Sequence, residues 1–398
     1  MSDLLLRVRI LAVRLGFALG RRRAVRRQVL IATAHTEAIS GNLAMLRDEL
    51  RRQVPDVPIV TLVRPRRRGR LASRLAAVRW EIRAGRLLAQ SRLVLVDDYF
   101  FPLYVIDRRP DTTVVQAWHA CGAFKRFGYS VVDKTFGADA ALLRRVRIHR
   151  NYDVCLVSSM AIAPHYAEAF DQPLERFRSD LGIPRTDVLF GPERIERVVA
   201  AIRHRYALPP DKRIVLIAPT FRGESVGRAR ADGLPDWREL QAALGHDHHL
   251  LVRLHPFVRD ALVIDRELDG FLTDVSDHPD INELLHVADV LVSDYSSVIY
   301  EYALLDRPMV FHAPDLEAYE ADPGMYLDYG TEMIGSPVVD TAGVAEAVQR
   351  AGVDEAAWTA FIETHLGTVD GRASDRFVER FLARESRGAT LPRDVRHE

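Results

Sequence analysis

Short apolar runs separated by longer polar and helix-period stretches pattern this chain of 398 residues. Val29-Leu30-Ile31, Ile59 to Val63, Leu93 to Val96, Thr113 to Ala117 and Val154 to Val157 read as buried strands. Leu43 to Arg52 and the arginine-rich stretch from Leu71 to Gln90 read as helices between them. A second series follows Pro209-Pro210: Ile214 to Ile217, His249 to Arg253, Phe271 to Asp274, Val290 to Val292 and Met309 to Phe311. Strands alternating with helices predict parallel, doubly wound sheets, and the length exceeds one comfortable core. The pattern breaks at Gly182-Ile183-Pro184-Arg185 and again at Pro209-Pro210. The expected division is a basic amphipathic segment over 1–27, an N-terminal α/β domain over 28–205 and a C-terminal α/β domain over 206–398.

The formal net charge is zero, yet residues 1–92 hold 21 arginines, no lysine and six acidic residues, a net +15. The remainder carries the balancing −15. One end of the chain is therefore suited to an anionic partner. Leu4 to Leu15 threads arginines through an apolar run, and Arg21-Arg22-Arg23 and Arg26-Arg27 follow. This run is too short and too charged to span a bilayer and lacks the order of a signal peptide. Two readings stay open: a basic amphipathic helix lying on anionic lipid, or a helix packed on the protein's own core. Cys121 and Cys155 show neither a disulfide framework nor zinc-ligand spacing, which points to a reducing setting. Asp247-His248-His249 reads as a solvated turn.

Candidate chemistry gathers at strand ends, where open α/β sheets place ligands. Asp294, Ser296 and Ser297 lie between the strand Val290–Val292 and a helix expected over Val298–Leu305. Serine is a favoured N-cap, and the free N–H groups of a helix's first turn suit phosphate. Thr220 and Arg222 follow the strand Ile214–Ile217. Arg253 and His255 close the next strand, with Pro256 ending it. Three strand ends in one domain thus offer donors for phosphate oxygens. Glu301, four residues after Ser297, reads either as a ribose contact or as a solvated carboxylate. In the first half, His119 follows Thr113–Ala117 within Trp118-His119-Ala120-Cys121-Gly122, with Lys125 beyond; histidine is the usual base near neutral pH. No Gly-x-Gly-x-x-Gly or Walker loop occurs, which argues against a dinucleotide dehydrogenase or P-loop nucleotidase.

The set Trp118-His119, Gly182-Ile-Pro-Arg185, Ala218-Pro-Thr-Phe-Arg222, Arg253-Leu-His-Pro256, Ser293-Asp-Tyr-Ser-Ser297 and Asp370-Gly-Arg372 resembles the CDP-glycerol glycerophosphotransferases. These are the teichoic-acid primases and polymerases of Gram-positive envelopes. Gly41-Asn42 and Ser158-Ser159 extend the likeness to roughly residues 28–385. The resemblance implies two Rossmann-like domains facing a cleft, of glycosyltransferase-B type, with the donor held by the C-terminal domain. It implies a metal-independent, cofactor-free transferase that moves a polyol phosphate, glycerol phosphate first, from a CDP-linked donor and releases CMP. The acceptor would be anionic and lipid-linked, at the cytoplasmic face of the membrane, with residues 1–27 providing peripheral attachment. Carried onto this chain, His119 is the base. His255, Ser296 and Ser297 hold donor phosphates, supported by Arg253 and Thr220. The chain departs from the family after His119, where Ala120-Cys-Gly-Ala-Phe124 stands in place of Gly-Thr-Pro-Leu before Lys125. A nucleotide-sugar glycosyltransferase of the same fold is the alternative. A nucleic-acid-binding protein is the remote one, because it leaves the second-half motifs unexplained.

Overall fold

The computed structural model describes residues 3–34, 36–64, 70–132, 134, 140–223, 229–255, 258, 262 and 264–383. Contacts divide the chain into two compact units: Met1–His119, Asp139–Asp187 and Thr368–Glu398 form one, and Ala120–Ala138 with Val188–Gly367 form the other. The sequence reading divided the two α/β domains between residues 205 and 206. The contacts instead place the helix Pro192–Arg205 against the helix Ile281–Leu285 of the second unit. They return Ala373–Val378 to the first, where Asp187 accepts from Ala373 N at 2.9 Å and Ser374 N at 2.8 Å.

The first unit is built on six parallel strands: β1 (Arg26–Thr33), β2 (Ile59–Val63), β3 (Ser91–Val96), β4 (Thr113–Gln116), β5 (Val154–Leu156) and β6 (Phe177–Arg178). Their order is β2-β1-β3-β4-β5-β6. The second unit repeats the plan with β7 (Arg213–Ile217), β8 (His248–Val252), β9 (Leu272–Asp274), β10 (Val290–Ser293), β11 (Met309–His312) and β12 (Pro337–Val338). Here the order is β12-β11-β10-β7-β8-β9. Val290 pairs with Val215, and Val215 with Leu250, so the three central strands run in register with all three residues buried. Such strands are apolar throughout because both faces are covered, as parallel sheets require. In each unit the first strand lies inside the sheet, and the chain adds strands on one side of it and then on the other. The switch points, where open sheets bind ligands, fall between β1 and β3 and between β7 and β10.

Helix α1 (Asp3–Arg21) packs along α3 (Arg70–Gln90), while α2 (Gly41–Gln53) follows β1. Glycine makes the close approach of α1 and α3 possible. A Cβ on Gly16 would stand 1.9 Å from the Ile82 carbonyl oxygen, and one on Gly85 would stand 2.1 Å from that of Val13. Arg9 and Glu81 form a shielded ion pair at 2.7 Å, which answers part of the burial cost that raises the Glu81 pKa. One face of α1 is therefore core. The opposite face leaves Leu4, Val8, Leu11, Leu15 and Leu19 exposed at helical spacing. Among the described residues, no helix is long and apolar enough to cross a membrane.

Two local expectations are corrected. His248 and His249 do not sit in a solvated turn; they open β8 and are buried. His249 bonds Gly270 O through Nδ1 and Thr273 Oγ1 through Nε2, so its ring satisfies itself inside the sheet. The helix after β10 spans Val298–Ala303 rather than reaching Leu305.

Candidate functional site

In the second unit, the three strand ends marked by the sequence belong to β10, β7 and β8, which are consecutive neighbours. Parallel strands bring their carboxyl ends to one edge, so Asp294, Ser296 and Ser297 stand beside Thr220 and Arg222, and these beside Arg253 and His255. The edge includes the β7/β10 switch point.

Asp294 is the hub. Its carboxylate accepts from Thr220 N at 2.8 Å, Thr220 Oγ1 at 2.9 Å and Arg222 Nη1 at 2.8 Å. A carboxylate this deeply buried (2% exposed) is tolerable only when so paired. Arg222 also grips Asp315 through Nε and Nη2, at 2.7 and 3.0 Å, and Nη1 reaches Thr220 O and Oγ1. Burial pulls the Arg222 pKa down, but the two carboxylates outweigh it and raise it. Tyr295 adds a hydrogen bond to Asp315 Oδ1 at 2.9 Å and stacks on Tyr319 with ring centres 3.9 Å apart. The guanidinium of Arg222 lies 5.0 Å from the Tyr295 ring centre. Thr220, Arg222 and Asp294 thus form one internally bonded frame in which the arginine points its donors at the protein's own carboxylates.

His255 is half-buried, with its ring 4.7 Å from that of Phe221, between Thr220 and Arg222 in the chain. Pro256 lies outside the described residues. Arg253 donates to His278 O at 3.3 Å, and His278 is itself held between Glu283 and Tyr206. Ser296 Oγ accepts from Val298 N at 3.4 Å. Ser297, expected as the cap, already has helical torsions (φ −65°, ψ −8°) and makes no side-chain cap bond. Both serines are half-buried at the edge. Glu301 is buried, 1% exposed, which overturns its reading as a solvated carboxylate.

His119 ends the first unit's run, and Ala120 begins a segment of the second. His119 Nδ1 lies 3.3 Å from Asp97 O, an acceptor only, so Nδ1 carries the proton. The Asp98 carboxylate stands 3.7 Å from the same nitrogen. The preceding Trp118 takes φ +52°, a strained setting for a bulky residue, and its ring lies 4.4 Å from the histidine ring. Three side chains hold that bend through four hydrogen bonds: Gln116 Oε1 accepts from Trp118 N, Asn42 Nδ2 donates to Ala117 O and Trp118 O, and Arg185 donates to His119 O. Arg185 N in turn donates to Asn42 Oδ1 at 2.8 Å. Gly41-Asn42 and Gly182–Arg185 therefore serve the Trp118-His119 strap, although 66 residues separate Arg185 from His119. Sequence reasoning passed over Asp98, Asp315, Tyr295 and Tyr319. Only Asp97-Asp98, an acidic pair at the end of β3, carried a readable signal.

Two parallel-sheet α/β units, with oriented polar groups at strand carboxyl ends, place the candidate site where open α/β sheets bind ligands. Residues 17–383 match the family described as CDP-Glycerol:Poly(glycerophosphate) glycerophosphotransferase, and the chain belongs to that family. It is 38% identical over 361 residues to a teichoic acid ribitol-phosphate primase of Bacillus spizizenii, covering 89% of this chain and 91% of the relative. It is 34% identical over 364 residues to the teichoic acid ribitol-phosphate polymerase TarK of Staphylococcus aureus, covering 89% and 68%. In fold it resembles the wall teichoic acid polymerase TagF, with a TM-score of 0.75 at 21% identity over 98% of this chain and 96% of that one.

Proposed function

We propose that this chain transfers a polyol phosphate from a CDP-linked donor to a hydroxyl of a lipid-linked cell-envelope acceptor and releases CMP. The observation that carries the reading is the adjacency of the β10, β7 and β8 ends, which lines hydroxyls, a histidine and a rigid ionic frame along one edge. The name of the relative that is 38% identical favours ribitol phosphate over the glycerol phosphate put first from the sequence.

The acceptor oxygen forms a bond to the distal phosphorus as the bond to the CMP oxygen breaks. In-line positioning and charge stabilisation do most of this work. Ser296 and Ser297 donate to phosphate oxygens whose charge grows in the transition state. His255, beside Phe221, is assigned to the same group. His119 takes the acceptor proton on Nε2, because the carbonyl of Asp97 fixes the Nδ1–H tautomer. Asp98 then stabilises the imidazolium, and a base of this kind is worth roughly 10²–10⁴-fold. No metal or cofactor is assigned a part.

Peripheral attachment to the anionic cytoplasmic leaflet is assigned to α1, whose outward leucines are flanked by exposed arginines. The experiment for this reading is thermal stabilisation by CDP-ribitol, CDP-glycerol, CDP, UDP-glucose and GDP-mannose. Ligand at 100 times its Kd adds about 2.7 kcal/mol. A shift confined to cytidine compounds supports polyol-phosphate transfer; one with a uridine or guanosine sugar moves the protein to the glycosyltransferases.

A further inference from the structure

The ionic frame around Arg222 leaves the donor edge short of free positive charge. One arginine faces two carboxylates, Asp294 and Asp315, so that group alone carries a net −1. A nearby cation with no carboxylate partner among the described residues is Lys125. Its backbone is clamped: Lys125 bridges Met325 in antiparallel fashion, Phe124 O accepts from Tyr326 N at 2.9 Å, and Arg126 N donates to Gly324 O at 3.0 Å. Upstream, Gly122 at φ +61° lies against the Tyr300 ring, where a Cβ would come within 2.3 Å. This clamp holds the Lys125 ammonium 5.1 Å from the Tyr319 ring centre, in the field of Asp294 and Arg222. Among the described residues it has no hydrogen bond or ion pair of its own.

We propose that Lys125 is a donor-binding residue: its ammonium takes a phosphate oxygen of the nucleotide diphosphate, the part the sequence assigned to Arg222. The proposal rests on the CDP-polyol reading above. Lys125 is half-buried, its ammonium touches no carboxylate among the described residues, and burial lowers its pKa to about 8. The missing anion is what a diphosphate supplies. A lysine serving only as a strut on Tyr319 needs no charge and would gain by losing it.

The test is calorimetric titration of wild type, Lys125→Met and Lys125→Arg at pH 7 with cytidine, CDP-ribitol and inorganic pyrophosphate. Losing one charge-assisted hydrogen bond is expected to weaken CDP-ribitol and pyrophosphate by about 10–150-fold in Lys125→Met. Cytidine affinity should not change, and Lys125→Arg should keep most diphosphate affinity. An equal loss for cytidine and diphosphates, or no loss for either, overturns the proposal. If wild type binds pyrophosphate but no cytidine compound, the CDP-polyol reading fails, and the pyrophosphate comparison alone decides the role of Lys125. Wild type that binds neither diphosphate sinks both.

Discussion

Arg222 and Asp315 are joined by two parallel hydrogen bonds, Nε to Oδ2 at 2.7 Å and Nη2 to Oδ1 at 3.0 Å. A third nitrogen of the same guanidinium holds Asp294 at 2.8 Å. Arg222 therefore cross-links the ends of β7 and β10 to the residue that precedes the helix Leu316–Ala321. Removing it strands the buried Asp294 carboxylate. Arg222→Met should cost about 3–5 kcal/mol in denaturant unfolding. Wild-type stability with lost donor affinity would make Arg222 a ligand instead of a cross-link.

Asp315 adds a pH signature. Burial raises its pKa, but the Arg222 bonds and charge outweigh this, and the net value is lowered. A lowered carboxyl pKa contributes stability above its unfolded value of 3.8, lost as pH falls through the folded value. The stability difference between wild type and Asp315→Asn should thus shrink as pH drops below about 4. A difference that persists at pH 2 would mean the effect is packing and not charge.

For His119, the expected outcome of His119→Ala is a fall in kcat of roughly 10²–10⁴-fold with donor Kd retained. Asp98→Asn should lower kcat as well, because the carboxylate no longer stabilises the imidazolium. Turnover preserved in His119→Ala would remove it as the base.

Lys125 makes two opposite pH predictions. Its pKa is lowered to about 8 from 10.5 by burial, with Asp294 opposing and Arg222 assisting. The unfolded chain then holds the extra proton between these values, so Lys125 lowers stability at neutral pH and the penalty fades as pH rises from 8 to 10.5. Lys125→Met should melt above wild type at pH 7, with the gap closing over that range. Diphosphate affinity should run the other way, weakening above pH 8 in wild type as the ammonium discharges. Parallel trends would contradict the assignment.

Helix α1 should bind lipid through its outward face alone. Leu11→Ser with Leu15→Ser should reduce sedimentation with anionic vesicles while leaving the melting temperature within a few degrees, since both residues are exposed. Deleting residues 1–27 is a poorer test, because it strips Val13, Gly16 and Phe17 from α3. Unchanged vesicle binding in the double variant would leave α1 a core helix only.

Much of the fold is legible because parallel strands are buried on both faces. Ile214–Ile217, Val290–Val292 and Met309–Phe311 therefore stand out as apolar runs. Strands β6 and β12, two residues each, leave no such trace. The polar neighbour Asp247 disguised the start of β8, where His248 turns its Nδ1 back to that carboxylate at 2.7 Å. Helix α1 admitted two readings because one face packs on α3 while the other exposes leucines. At the candidate site, sheet order is what brings the strand ends marked in the sequence, those of β10, β7 and β8, to one edge. How many acceptors already surround Arg222 is invisible in sequence: Asp315 lies 93 residues away. Ser297 looked like a cap by residue type, yet its torsions are already helical.

The central claim is that a cytidine diphosphate–linked polyol binds at the β10-β7-β8 edge. Its most direct test is calorimetric titration of CDP-ribitol and CDP-glycerol into wild type and into the double variant Ser296→Ala, Ser297→Ala. Wild type is expected to bind at least one of them, and the double variant to bind it at least about tenfold more weakly at unchanged melting temperature. Binding of neither compound, or binding untouched by loss of both hydroxyls, would contradict the account.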